Sequence, residues 1–280
     1  MAAAFSVVVP AHNEAAVIGR CLDAFVTSLH GGEAEVVVVV NGSTDATAQI
    51  ASSYPGVTVI ETATAGKAHA LNLGDAAATS FPRVYLDADI VVSADALREL
   101  AGSLPPDRPA LAGLRFSVRT AESTLPVRMF YSAFLQMPYA EDSLAGFGLY
   151  ALSAAGRARF DSFPDLQGDD LFVQRLFGGA EAHRVDRLLV VEAPRDLRSL
   201  VRVRTRIHRG NAQATETFGL ERFHSTTTSS IGALLRVVHQ QPRRVLDVGV
   251  YVLVTVLARR AARAVRHSGN SVWQRDESTR

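Results

Sequence analysis

The 280-residue chain contains a single cysteine and a single lysine. One cysteine, Cys21, rules out an internal disulfide framework and any cysteine metal cluster. Its neighbours Val17, Ile18, Leu22 and Phe25 are apolar at helical spacing, so Cys21 is read as core, in keeping with a reducing, cytoplasmic setting. The start, MAAAFSVVVP, has no basic segment before its apolar residues, so no signal peptide is expected there. The apolar run at residues 245–258, VLDVGVYVLVTVLA, is interrupted by Asp247 and is shorter than the roughly 20 residues a spanning helix needs. No G-x-G-x-x-G follows the first strand-like segment and no Walker lysine motif occurs, which sets aside an NAD fold and a P-loop. Internal repeats and low-complexity linkers are also missing.

What remains is an ordinary globular composition, 48% apolar and 20% charged, long enough for one large α/β domain or two small ones. The net charge of +1 hides an asymmetry: from Arg184 onward there are 18 basic and 8 acidic residues, leaving 11 of the 29 basic and 20 of the 28 acidic before it. Every basic residue except Lys67 is arginine, whose planar fork suits phosphate and carboxylate. A basic C-terminal third points to phosphates, to an anionic membrane face, or to both. Sparse aromatic interleaving there argues against nucleic acid.

Strand and helix patterns alternate through the first hundred residues. Phe5–Val9 reads as a buried strand stopped by Pro10, followed by a helix from about Ala15 to Leu29. Five consecutive valines in Glu35–Val40 mark a strand buried on both faces, ending in the turn Asn41-Gly42-Ser43-Thr44-Asp45. A helix near 46–53, a strand at 57–61 and a helix opened by Gly66-Lys67 continue the alternation. The pattern predicts a doubly wound, mainly parallel α/β sheet, in which polar residues at successive strand ends gather over one edge.

The stretch that gives this edge a chemistry is RVYLDADIVVS, residues 83–93. An apolar strand ends in Asp87-Ala88-Asp89. Ionised carboxylates are costly to bury unless a cation or donors compensate. Two hard oxygen ligands at i and i+2 suit Mg²⁺ or Mn²⁺, although a plain polar turn would also produce this pattern.

VVVPAHNEAAVIGRCLDAF, VVVVNGSTDATAQIA, GKAHALNLG and YLDADIVV, in this order, resemble the family-2 glycosyltransferases of the GT-A fold. AGFGLYALSAAGRARFDSFP is similar to the family's acceptor-side glycine loop, carrying Gly146 and Gly148. LQGDDLFVQRLFGGAEAHRV resembles its catalytic acid motif, and VRVRTRIHRGNAQ its late arginine-rich segment. Three positions depart from the usual pattern: Asn41 stands where aspartate is common, Asp169 where glutamate is commoner, and His208 where an aromatic is often found.

The resemblance implies an inverting, metal-assisted transfer of a sugar from a UDP-, GDP- or dTDP-sugar to a hydroxyl of a glycan, a lipid-linked sugar or a small molecule. It places Pro10, His12, Asn13, Glu14 and Asn41 at the nucleoside, and Lys67, Asp87 and Ala88 at the ribose or phosphates. Asp89, with Asp87, would hold Mg²⁺ or Mn²⁺, and Arg204, Arg206, His208 and Arg209 would meet the diphosphate. Asp170 would be the general base and Asp169 its neighbour. Plainer roles compete: Glu14 as a helix-end charge, Asn41 as a turn residue, Asp45 as a helix cap, Lys67 as a surface cation, and Asp169-Asp170 as an acidic first turn.

The expected organisation is a catalytic domain over 1–230, with a nucleotide half to about 100 and an acceptor half after it, then a helical segment and tail over 231–280. Arg243, Arg244, Arg259, Arg260, Arg263 and Arg266 flank the apolar run, as suits a helix lying on an anionic membrane; a core helix or a homodimer contact fits equally. A nucleotidyltransferase would show a glycine- and arginine-rich loop after the first strand, which PAHNE is not. A non-catalytic nucleotide-sugar binder would require Asp89 or Asp170 to be dispensable.

Overall fold

The computed structural model describes residues 3–138, 140, 144–166, 168–218 and 227–268. Its centre is a seven-stranded sheet in the order β3-β2-β1-β4-β6-β5-β7. The strands are β1 Phe5–Ala11, β2 Ala34–Asn41, β3 Val57–Thr62, β4 Arg83–Leu86, β5 Leu111–Arg119, β6 Leu149–Leu152 and β7 Ala182–Glu192. Strands β3, β2, β1 and β4 run parallel, while β6 lies antiparallel to both β4 and β5. The sheet is therefore mixed, with its parallel part where strand and helix alternate in the sequence.

Val36–Val40 are all at most 3% exposed, because β2 has β1 and β3 on its edges and helices on its faces. One of those helices, α3 (Lys67–Ala77), packs on β1 and β2 through Gly74. A Cβ there would come within 2.4 Å of a Val8 methyl, so only glycine allows this approach.

Pro10 does not end the first strand. It pairs in register with Val39, whereas β4 pairs with β1 only as far as Val8. The missing N–H thus lies past the doubly paired stretch, where it costs little. The helix expected over 15–29 is shorter: α1 spans Ile18–Asp23, and one 3₁₀ turn covers Val26–Ser28. Phe25, at φ −136°, separates them, yet Val17, Ile18, Cys21, Leu22 and Phe25 are buried as their spacing predicts.

The remaining helices of the parallel half are α2 (Thr47–Ser52) and α4 (Ala94–Gly102). The chain groups into two compact units, Met1–Ser117 with Leu144–Leu189, and Val118–Ser143 with Val190–Arg280. In the first unit, α5 is the short helix Ala154–Arg157 and α6 spans Asp169–Arg175. The second unit is helical, with α7 Leu125–Phe134, α8 Leu197–Phe218, α9 Thr227–Gln240 and α10 Val245–Ser268.

Helix α10 packs on α7 and α8 with Tyr251, Val254, Ala258 and Ala262 turned inward. Tyr251 stacks on Phe130 with a centroid separation of 5.3 Å. Asp247 accepts a hydrogen bond from the Ser132 hydroxyl at 2.5 Å, which explains how the acid that breaks the apolar run is accommodated. Arg244 donates to the carbonyl and hydroxyl of the same serine. No helix among the described residues is long and apolar enough to cross a membrane.

Candidate active site

After β1 the chain moves outward to β2 and β3, then returns to β4 on the other side of β1. The C-terminal ends of β1 and β4 therefore flank a topological switch point, where open α/β sheets bind ligands. Pro10 lies buried near the end of β1, and His12, Asn13 and Glu14 follow it. Asn13 takes the left-handed conformation, φ 50°, which an asparagine tolerates.

The turn after β2 is knitted to this loop. Asn13 N–H donates to the Ser43 hydroxyl at 2.8 Å and its side-chain oxygen accepts from Thr44 N–H at 2.7 Å. Glu14 N–H donates to Thr47 Oγ1 at 2.7 Å. Asp45 accepts from Ala15 N–H and from the N–H of Thr47, the first residue of α2, so it ties the loop after β1 to the helix start. His12 Nδ1 lies 2.5 Å from the Asn41 carbonyl.

Asn41 is 2% exposed, and its amide works inside the protein. Nδ2 donates to the Ala11 carbonyl at 2.8 Å, and Oδ1 accepts from Gly66 N–H at 2.9 Å. It thus clamps the ends of β1 and β2 to the start of α3. An aspartate could accept from Gly66 but would set a carboxylate against the Ala11 carbonyl, which accounts for an amide at this position.

The charged centre lies at the end of β4. Lys67, the first residue of α3, places Nζ 2.7 Å from Asp87 Oδ1 and 2.9 Å from Asp169 Oδ1. The three side chains are 21%, 36% and 6% exposed, so the lysine bridges two carboxylates in a partly enclosed site. Burial would push the lysine's pKa down, but Asp169, Asp87 and Asp170 outweigh it and hold the ammonium well above its ordinary range. Asp169, at the start of α6, also accepts from the buried Tyr150 hydroxyl at 3.2 Å. Tyr150 stacks on Tyr85 of β4 with centroids 5.0 Å apart.

Asp170, next in α6, has its pKa pushed up to about 7 by burial and by the adjacent Asp169 charge, against the lowering influence of Lys67. Three carboxylates against one ammonium leave the cluster with uncompensated negative charge. Gly148, at φ 75°, presses against the same point: a Cβ would lie 3.0 Å from Asp87 Oδ2, and its carbonyl accepts from Asp87 N–H at 2.8 Å. Gly146 is exposed in the preceding turn. Ala88 is buried and Asp89 exposed, so the carboxylates on either side of that alanine differ in access to solvent.

The first unit thus brings together Lys67, Asp87, Asp169 and Asp170, with Gly148 behind Asp87. Among the described residues, no group of three or more His, Cys, Asp or Glu side chains is arranged as a metal cage. Asp87 and Asp89 supply only hard oxygen donors beside net negative charge. That donor set fits Mg²⁺ or Mn²⁺ held by one or two carboxylates and completed by water and phosphate.

Arg204, Arg206, His208 and Arg209 belong to α8 in the second unit. The Arg204 guanidinium lies over Phe130 and Phe134, 5.7 and 5.3 Å from their centroids. His208 and Arg209 line a pocket between α8 and α10.

Sequence reasoning missed Tyr150, whose partner Asp169 is nineteen residues away and invisible to periodicity. It also missed Glu61 and Thr62 at the end of β3. With Val40, Gly42, Ser43 and Ala63 they line a cavity of about 240 Å³ beside the β2 turn. Alternation of the flanking strands identifies that edge, but only the register Asn41 to Thr62 brings the two strand ends together.

The solved structures resembling this fold include a mannosyltransferase from Pyrobaculum calidifontis in complex with GDP-Man and Mn²⁺. It is 22% identical, with 96% of this chain and 80% of that one covered and a TM-score of 0.58. Glucosyl-3-phosphoglycerate synthase from Mycobacterium tuberculosis, in complex with UDP, is 23% identical over 78% of this chain and 81% of that one, TM-score 0.59. S. aureus TarS 1-349, in complex with UDP-GlcNAc, is 16% identical over 98% and 94%, TM-score 0.52. These likenesses show the GT-A fold. No curated protein matches the sequence. The model of Glycosyl transferase family 2 matches residues 6–146, half of the chain. The chain belongs to the glycosyl transferase family 2.

Proposed function

We propose that this glycosyltransferase moves a hexosyl group from a nucleotide-diphosphate sugar to an acceptor hydroxyl, with inversion, and that Asp170 is the general base. The observation that carries the reading is the convergence of Asp170 with the Lys67–Asp87–Asp169 cluster at the switch point. A base must take a proton from a hydroxyl near neutral pH, and a carboxyl pushed up to about 7 is matched to that task. One carboxylate assisting a single displacement corresponds to inversion.

In this reading the loop from Pro10 to Glu14 and the cavity beside Asn41 receive the nucleoside, with Glu61 and Thr62 available to its polar edges. Lys67 serves the phosphates of the donor, and its contact with Asp87 and Asp169 keeps it aimed at the end of β4. Asp87 and Asp89 would hold Mg²⁺ or Mn²⁺. When bound, such an ion neutralises charge on the departing diphosphate. Asp169, fixed by Lys67 and Tyr150, positions the start of α6 and keeps Asp170 protonatable. The glycine-bearing turn with Gly146 and Gly148 faces the acceptor.

The test is Asp170→Asn, which preserves shape but cannot accept the proton. Donor affinity should persist while turnover falls by roughly 10²–10⁴. Near-normal turnover would remove Asp170 from this role; a loss confined to Asp169→Asn would transfer it to the neighbour.

We infer in addition that the outer face of α10 rests on an anionic lipid surface. Leu246, Val252, Leu253, Val256 and Leu257 are 40–68% exposed along that face. Arg243 precedes it, and Arg259, Arg260 and Arg263 follow, all exposed. A second copy of the chain laid on this face would bring arginine against arginine, whereas anionic headgroups complement it.

A further inference from the structure

Away from the carboxylate cluster, the second unit carries a pocket of about 210 Å³ between α8 and α10. Its lining is Arg209, Ala212, Arg259, Ala262 and Arg263, with His208 at one side. Two alanines leave space where the helices face each other, and three guanidinium groups surround it. No carboxylate is among the lining residues, and none of the three arginines forms an ion pair among the described residues. Elsewhere in the protein, arginines such as Arg83, Arg98, Arg157 and Arg159 are held by acids.

Three cations gathered around a concavity without a counter-ion repel one another, weakly where they are exposed, and an anionic ligand would relieve that repulsion. His208 adds a polar atom on the same side, since its Nε2 is buried without a hydrogen-bond partner. Burial, together with Arg204 on its own helix and Arg259 on α10, pushes the imidazole down to about 4. It is therefore neutral at pH 7 and offers a donor or an acceptor, leaving the positive charge to the arginines.

We propose that this pocket binds a phosphate group, carried either by a soluble phosphorylated molecule or by a lipid headgroup. Guanidinium forks match tetrahedral phosphate oxygens with paired donors, and three forks around one small cavity favour a compact polyanion over a single carboxylate. Arg259 and Arg263 follow Leu257, the last exposed apolar residue of α10, by two and six residues, so a headgroup phosphate could enter while the apolar residues meet acyl chains. The inference does not depend on Asp170 as the base, because Lys67, Asp87, Asp169 and Asp170 are not among the lining residues; it gives His208 and Arg209 a phosphate other than the donor diphosphate that the resemblance assigned them.

The experiment uses the full chain. Inorganic phosphate is titrated calorimetrically at constant ionic strength, with chloride as the reference. In parallel, sedimentation is measured with phosphatidylcholine vesicles carrying phosphatidic acid, and with vesicles brought to the same charge by oleate. Arg259→Gln/Arg263→Gln removes two exposed cations and should leave transferase activity intact. Ala212→Glu independently fills the cavity with a tethered carboxylate.

Wild-type protein should bind a phosphate probe, and each lost arginine should weaken that binding about tenfold or more. Binding of inorganic phosphate assigns a soluble ligand; preference for phosphatidic acid over oleate without it assigns a headgroup. Either result, abolished in both variants, supports the site. Equal binding of phosphate probes by wild type and variants, or no preference for phosphatidic acid together with no phosphate heat, overturns it.

Discussion

At the scale of single residues, the site combines charges that work against stability with contacts that hold them in place. The raised pKa of Asp170 means that the folded protein binds this proton more tightly than the unfolded chain does, whose value is 3.8. The stability it contributes is full below about pH 4 and is lost as pH rises through about 7. Asp170→Asn should therefore raise Tm, with a gain that is small near pH 5 and larger near about pH 8. Thermal melts of both forms across this range check the sign. The same ionisation predicts that wild-type turnover rises with pH through about 7, measured as a pH–rate profile with saturating donor and metal. A mutant that is more stable and less active at high pH would tie both effects to one carboxylate.

Tyr150 and Asn41 test the supporting contacts. Tyr150→Phe removes the donor to a buried carboxylate and should cost roughly 1.5–3 kcal/mol in urea unfolding. Turnover should fall with little change in donor affinity, because the residue acts through Asp169. Asn41→Asp keeps the Gly66 contact but opposes the Ala11 carbonyl, at an expected cost of about 1–3 kcal/mol. A well-folded Asn41→Asp of unchanged stability would show that the clamp can rearrange. Neither role was legible from sequence: Tyr150 is one aromatic in an apolar strand, and the partners of Asn41 depend on how three strand and helix ends meet. The identity of the acids was legible, but their meeting was not. Lys67, Asp87 and Asp169 are far apart in sequence and approach only through the order of strands β1, β4 and β6.

At the scale of elements, what the sequence determines locally is what it reveals. The five valines of β2, the glycine-led start of α3 and the acidic start of α6 follow from burial and helix-end chemistry, and the structure has all three. The antiparallel placement of β6 is a long-range pairing that no local pattern encodes. The apolar run near the C-terminus showed a helix but not its length, because the arginines after residue 258 are good helix formers and extend it to Ser268. Nor could a run of valines and leucines reveal which face packs. Since Tyr251, Val254 and Ala258 are buried, deleting α10 would strip Tyr251 from Phe130, expose that ring and destabilise the second unit. The membrane reading is better tested by Leu253→Glu/Val256→Glu, which changes only exposed positions. This variant should keep its Tm and lose sedimentation with phosphatidylglycerol vesicles. Retained vesicle binding, or a wild-type dimer that the variant breaks, would reassign the face to a copy of the chain.

At the scale of the whole molecule, ligand binding and stability are linked, and the linkage can separate the metal from the nucleotide. The end of β4 holds an excess of negative charge, and Asp89 is its most exposed carboxylate. If Asp87 and Asp89 hold the ion, Mn²⁺ alone should bind weakly, since two carboxylates provide few ligands. A nucleoside diphosphate would add phosphate oxygens, so the pair together should raise Tm by more than the sum of either alone. Saturation at about 100-fold over Kd corresponds to about 2.7 kcal/mol of added stability. Asp89→Ala should abolish the synergy while leaving the ligand-free Tm equal or higher, because removing one of several crowded negative charges relieves repulsion. UDP and GDP, each melted with and without Mn²⁺, would also separate the two donor bases. Synergy surviving in Asp89→Ala would place the ion on other ligands, and a drop in the ligand-free Tm would make Asp89 a structural residue instead.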